Sequence, residues 1–213
     1  MALTIKANIE NLRSELTDPA VTLIAVSKQQ SDDSLQSALD AGLRHFGENR
    51  VQEAQNHWGS KRHLYPDLTL HCIGPLQSNK VADAVALFDV IHTVDREKIA
   101  RALSQEMQKQ NRVLPCFIQV NTGHEAQKSG IEPDALSSFL NFCATETQLD
   151  IIGLMGIPPV DQDPEPHFRL LKQLADQHGL KHLSMGMSDD YQTAIACGAT
   201  HIRIGSALFG ARD

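Results

Sequence analysis

Eight short apolar runs, each followed by a stretch with helical spacing, restrict what this chain can fold into more than any other feature. The runs are VTLIAVS (21–27), RHFG (44–47), LTLHCIG (68–74), FDVIHTV (88–94), VLPCFIQV (113–120), LDIIGLMG (149–156), KHLSMG (181–186) and THIRIG (200–205). Between them the spacing predicts helices over 32–41, 49–63, 78–87, 95–110, 133–147, 165–178 and 189–197, and one more over 3–16 precedes the first run. Near-continuous apolar strands are buried on both faces, as in a parallel sheet covered by helices. Eight such units close naturally into a barrel. An open doubly wound sheet would carry a glycine-rich turn after its first strand, and SKQQSDD has no glycine. Neither G-x-G-x-x-G nor G-x-x-x-x-G-K-[ST] occurs in the chain. The expected architecture is an α/β-class (β/α)8 barrel with an N-terminal helix. The even composition predicts a single domain over 1–213.

Local punctuation agrees with these helices. Ser31 is a capping residue for the helix that stops before Gly42, and Asp95 is expected to cap the helix over 95–110. Pro133 sits where a first helical turn begins, and Gly198 ends the helix over 189–197.

Composition sets the compartment and partners. With 213 residues, 41% of them apolar, the chain has enough material for one sizeable core. No run of ~18 apolar residues is present, which predicts no membrane span. The start, MALTIKANIENLRSEL, alternates apolar and charged residues and reads as neither a signal nor a transit peptide. A net charge of −7 argues against a general binder of nucleic acid or anionic membranes, while leaving room for a small anion in a local pocket. Cys72, Cys116, Cys143 and Cys197 form no C-x-x-C pair and read as free thiols in a reducing cytosol. His178 and His182 are four apart with Gly179 between them, and H-E-x-x-H is absent, so no metal site is expected.

In a β/α barrel the residues just after each strand line one face, where chemistry sits. Those residues here include Ser27 and Lys28, then Glu48, Asn49 and Arg50, then Gln77 and Asn79, then Asn121. The last two strands contribute Gly186, Met187, Ser188, Arg203, Gly205 and Ser206. Glycines that admit close backbone approach, serine hydroxyls and a helix start (Ser206 onward) make either a phosphate cradle or two ordinary βα turns. Lys28 ends an apolar strand, so its amine is either an imine-forming group or a solvated strand-end lysine. Arg203 lies within the last strand. It is either a structural ion-pair member or a donor to a ligand, because a buried guanidinium needs acceptors.

These stretches carry a resemblance. AVSK (25–28), FGENRVQE (46–53), IGPLQSNK (73–80), VN (120–121), GLMGIPP (153–159), LSMGMSDD (183–190) and HIRIGSALFG (201–210) occur in that order over nearly the whole chain. Together the sequence resembles the pyridoxal phosphate homeostasis proteins of the YggS/PROSC type. That resemblance implies a barrel similar to the N-terminal domain of alanine racemase and other fold-type III enzymes that use pyridoxal 5'-phosphate (PLP). It implies that Lys28 forms the internal aldimine with PLP, and that Ser188, Gly205 and Ser206 hold the phosphate. It also implies that Arg203 faces the pyridine nitrogen and that Asn49 and Met187 line the cofactor. Three places depart from the usual pattern: Gln29-Gln30 after the lysine, Arg50 after GEN, and TGHEAQKSGI after VN.

PLP invites an enzyme reading. An arginine against the pyridine nitrogen opposes its protonation and weakens the electron sink that catalysis needs. A racemase also needs a second base, supplied in its relatives by a tyrosine of a further C-terminal domain. The sequence stops at Asp213, and Tyr65 and Tyr191 lie in or near helices. The expectation is a non-catalytic PLP carrier or regulator, cytoplasmic and, by resemblance, monomeric. Its expected partners are PLP, amino acids or other B6 vitamers, and transiently PLP apoenzymes. A weak fold-type III racemase or decarboxylase is the alternative, and a Schiff-base aldolase on a phosphosugar a more distant one.

Overall fold

The structure, a computed structural model, describes residues 4–16 and 18–210. Eight strands, β1 (Thr22–Val26), β2 (His45–Glu48), β3 (Thr69–Cys72), β4 (Val90–Val94), β5 (Cys116–Val120), β6 (Ile151–Gly156), β7 (His182–Ser184) and β8 (His201–Ile204), close into a barrel in chain order. All neighbours are parallel, and the seam pairs Thr22 with His201 through Ala25 with Ile204. The helices are α1 (Ile5–Glu15), α2 (Asp32–Asp40), α3 (Val51–Trp58), α4 (Val81–Leu87), α5 (Glu97–Lys109), α6 (Leu136–Phe142), α7 (Pro164–Gln177), α8 (Tyr191–Ala196) and α9 (Ser206–Phe209). The expected (β/α)8 barrel and its N-terminal helix are therefore present. Residue 3 of the expected first helix lies outside the described residues.

Several helix boundaries differ from expectation. The Ser31 side chain caps α2 by accepting from the Ser34 N–H at 3.2 Å. Asp95 does not cap α5: the capping position is Arg96, with no side-chain cap bond. The Asp95 carboxylate is buried at the end of β4 and takes the Arg96 guanidinium at 2.5 Å instead. The stretch 133–147 is a 3-10 turn, then α6, then a π turn ending at Gln148 with φ +53°. The stretch 49–63 divides into α3 and a separate 3-10 turn at Arg62–Leu64.

The main core lies between the outer face of the barrel and the helices. Phe46, Trp58, Leu70, Ile91, Ile99 and Leu103 are fully buried there, and the Phe46 and Trp58 rings sit 4.6 Å apart. Each such side chain contributes roughly 1.5–3 kcal/mol by leaving water. Cys72, Cys116 and Cys143 are buried free thiols, and burial pushes Cys72 up to about 12 and Cys143 up to about 11. Among the described residues no helix is long and apolar enough to cross a membrane.

The barrel interior is unlike that core. A small apolar cluster of Val90, Phe117 and Met155 shares it with imidazoles. His92 stacks on Phe117 at 4.3 Å, and His71, His182 and His201 pack edge-on around them. Barrels of this type are ordinarily filled by branched aliphatic side chains.

Candidate functional site at the barrel mouth

Lys28 leaves the barrel two residues beyond β1 and is half-buried. Both its chain neighbours are anchored. The buried Ser27 hydroxyl donates to Glu48 Oε1 at 2.7 Å. Gln29 occupies the left-handed region at φ +59°, and its N–H donates to the Glu53 carboxylate. The amine is thus delivered from a backbone fixed on either side by an acid.

Glu48 itself is not a mouth residue, contrary to its reading as a donor or acceptor around the rim. It is fully buried between β2 and α3, where Oε1 also accepts from Trp58 Nε1 at 3.0 Å and meets His57 Nδ1 at 2.7 Å. Burial raises its pKa, and the three hydrogen bonds pull partly against that. Asn121 is likewise committed elsewhere. Its side-chain amide donates to the Glu125 carbonyl at 3.1 Å and to Glu132 at 2.8 Å, closing the loop after β5. Asn49 is half-buried and stands where the chain leaves β2. The end of β3 passes so close that a Cβ on Gly74 would lie 2.3 Å from the Asn49 carbonyl oxygen, so only glycine fits there.

On the opposite side, the loop after β7 meets the start of α9. The Ser188 hydroxyl accepts from the N–H groups of Gly205 and Ala207, each at 3.2 Å. Two backbone donors therefore converge on one oxygen, and the exposed Ser206 lies between them in sequence. Met187 is partly exposed at the same loop, with its N–H donated to Asp190 Oδ1 at 2.6 Å. Gly186 takes φ +91° with its Cα against α8, and its carbonyl accepts from the Arg203 N–H at 3.0 Å.

Arg203 is held within the chain by neutral acceptors. It is buried, and among the described residues it makes no ion pair. Its guanidinium donates instead to Ser184 Oγ at 2.8 Å and to the Gly156 carbonyl at 3.0 Å, spanning the ends of β7 and β6. Burial lowers its pKa to about 10, and Asp190 opposes that shift. It is thus a cation at neutral pH, held by neutral acceptors.

A cavity of about 780 Å³ opens over the ends of β2 and β3, lined in part by Asn49, Arg50, Gln77, Lys80 and Arg96. Of the residues expected to hold a ligand, only Asn49 lines it. Lys28 follows β1, Ser188 follows β7 and Arg203 lies in β8, and none of the three lines this cavity. The two histidines behind Arg203, His92 and His71, were not singled out from sequence. The signal available was parity: His201 and Arg203, or Val90 and His92, are two apart and so share one face of a strand.

The family model described as "Alanine racemase, N-terminal domain" matches residues 3–213. A pyridoxal phosphate homeostasis protein of Pseudomonas aeruginosa is 45% identical over 204 residues, covering 92% of this chain and 87% of that protein. One from Vibrio cholerae is 40% identical, covering 99% and 97%. The solved structure of PipY from Synechococcus elongatus with PLP bound is 39% identical, covers 97% of this chain and all of that one, and superposes with a TM-score of 0.87. Alanine racemase of Clostridium difficile, 14% identical with a TM-score of 0.76 over 98% of this chain and 57% of its own, shares the fold. The chain belongs to the alanine racemase N-terminal-domain family and, within it, to the pyridoxal phosphate homeostasis proteins.

Proposed function

We propose that this chain binds PLP at the barrel mouth and serves PLP homeostasis as a carrier or regulator rather than as an enzyme of efficient turnover. The observation that carries the reading is Arg203: a buried guanidinium at the strand ends, with two neutral acceptors. Such a group suits an unprotonated pyridine nitrogen, which accepts a hydrogen bond and avoids a like charge. The rest of the donor set fits the same group. Ser188, Gly205 and Ser206 suit a phosphate at a loop and helix start, and Asn49 and Met187 suit the flanks of a planar ring. When bound, PLP supplies an aldehyde that condenses reversibly with a primary amine, and Lys28 supplies that amine.

The placement of the tyrosines supports a carrier. Tyr191 Oη donates to Glu15 on α1, and Tyr65 Oη accepts from Gln36 on α2 at 2.9 Å. Both phenols are engaged by side chains of neighbouring helices. Arg203 keeps its charge at neutral pH, which weakens the electron sink. Lys28 would give the group up to an incoming amine. Action in the cytosol as a monomer is part of the same proposal; the compartment rests on the unpaired cysteines and the start of the sequence, and the monomer on the resemblance. A visible absorbance spectrum of the protein mixed with PLP, before and after Lys28→Ala, tests it. The expected result is a lysine-dependent band that vanishes in the variant; an identical spectrum from the variant overturns the assignment.

A further inference from the structure

The barrel interior contains an unbroken series of polar contacts that ends at Arg203. His45 Nδ1 lies 3.0 Å from His71 Nε2, His71 Nδ1 lies 2.9 Å from His92 Nε2, and His92 Nδ1 lies 2.9 Å from Ser184 Oγ. Ser184 Oγ in turn accepts from Arg203 at 2.8 Å. Each link crosses to another strand: β2, β3, β4, β7 and β8. His71, His92, Ser184 and Arg203 are buried, and His45 is half-buried at the far end.

The chemistry of the last link fixes the direction of all the others. A guanidinium only donates, so Ser184 Oγ must accept from it. The remaining Ser184 proton has His92 Nδ1 as its partner. A neutral imidazole with a bare Nδ1 carries its proton on Nε2, and His92 therefore donates to His71. The same step makes His71 donate to His45. Reversal would give Ser184 two donors and leave its own proton buried without an acceptor, which is unfavourable. Burial holds both His71 and His92 well below the usual imidazole range, so the neutral forms that this ordering requires are the ones present.

Imidazoles surround the buried part of the series, and charged groups lie beside it at the floor. His201 packs against His71 and His92 at 6.4 and 6.1 Å, and His182 against His201 at 5.5 Å. Arg13, Asp18, Thr22 and Arg44 line the space beside His45 at the floor. Arg203 is the cation at the mouth end of the series. Hydrogen bonds aligned head to tail polarise one another, which makes Ser184 a better acceptor for it.

We propose that Ser184, His92, His71 and His45 form a single polarised hydrogen-bond chain that positions Arg203, and are positioning residues of the mouth. The consequence for the cofactor rests on the PLP reading above; the ordering of the imidazoles does not.

The test uses 15N-labelled protein without PLP and two-bond 1H–15N correlation spectra of the imidazoles from pH ~5.5 to ~8, a window below and above the ordinary imidazole value. His71 and His92 are expected as neutral rings protonated on Nε2 throughout. Protonation on Nδ1, or an imidazolium form, overturns the chain. Ser184→Ala is expected to abolish the single tautomer of both rings, although it touches only His92; an unchanged His71 overturns the coupling. His45→Leu and His45→Gln provide the same test from the half-buried end. Leucine removes the acceptor for His71 and is expected to disturb its pattern, whereas the glutamine carbonyl restores it. With PLP added, His45→Leu is expected to weaken binding roughly 3- to 10-fold and to shift the absorbance band, with rescue by His45→Gln. Disturbed tautomers with unchanged affinity and band overturn the positioning role alone. A parent protein that shows the ordered imidazoles but binds no PLP overturns the PLP reading and leaves the chain standing.

Discussion

Ser27 donates its hydroxyl to Oε1 of Glu48 at 2.7 Å, across the β1–β2 pair and one residue before Lys28. The carboxylate belongs to the layer between strand and helix, yet it anchors the backbone from which the mouth lysine departs. Glu53 does the same on the other side through Gln29. The reach of Lys28 is therefore set by the packing of α3 against β2.

Removing that anchor has a defined effect. Glu48→Ala leaves the buried Trp58 N–H and the His57 ring without their acceptor, while the Ser27 hydroxyl keeps only the Gly47 carbonyl at 3.2 Å, at a cost of roughly 2–4 kcal/mol. Glu48→Gln retains an acceptor oxygen and is expected to lose no more than about 1–2 kcal/mol. Urea unfolding separates the two variants, and an alanine variant as stable as the parent would refute the anchoring role.

The phosphate assignment predicts selectivity. Ser188→Ala removes the oxygen on which the Gly205 and Ala207 N–H groups converge. Affinity for PLP is expected to fall roughly 5- to 10-fold, matching one lost hydrogen bond. Affinity for pyridoxal, which lacks the phosphate, is expected to stay the same. Equal losses for both ligands, measured by fluorescence titration, would place the phosphate elsewhere.

Gly186 carries the turn between β7 and α8. At φ +91° a Cβ would also lie 2.6 Å from the Ala194 Cβ. Gly186→Ala is expected to destabilise the fold by roughly 2–4 kcal/mol, from left-handed strain and overpacking together. A melting temperature within a degree or so of the parent would contradict this.

Acid is expected to destabilise the barrel from within. Burial lowers the pKa of His71, His92 and His201, the last to about 4. In the unfolded chain these rings take up protons near ~6.5, so below that pH the unfolded state binds more protons than the native one. Stability is therefore full above this value and falls as the pH drops toward about 4 for His201. The His201 share is about 3 kcal/mol over that interval. His201→Gln is expected to flatten the slope of stability against pH by about one proton; an unchanged slope would show that His201 does not titrate on unfolding.

The order of the barrel was legible because buried parallel strands leave apolar runs at regular spacing, and each helix between them keeps its 3.6-residue period. Lys28, Ser188, Gly205 and Arg203 were legible as strand-end residues for the same reason. Glu48 was misplaced because strand parity decides its direction. Gly47 faces the interior, where a Cβ would meet Ile24 and Ile73 at 2.9 and 2.8 Å, so Glu48 must face α3. Asp95 was misplaced because burial gave its carboxylate to Arg96 rather than to a helix start. The imidazole chain was not legible at all. Each histidine is a single polar residue in an apolar strand, and only closure of the barrel brings His45, His71 and His92 into line.

The central claim is that Lys28 is the amine that holds PLP. Its most direct test is borohydride reduction of the protein incubated with PLP, followed by proteolysis and mass spectrometry of the labelled peptide. One stoichiometric pyridoxyl label is expected on Lys28, absent from Lys28→Ala. A label at another lysine, or none in the parent protein, would contradict it.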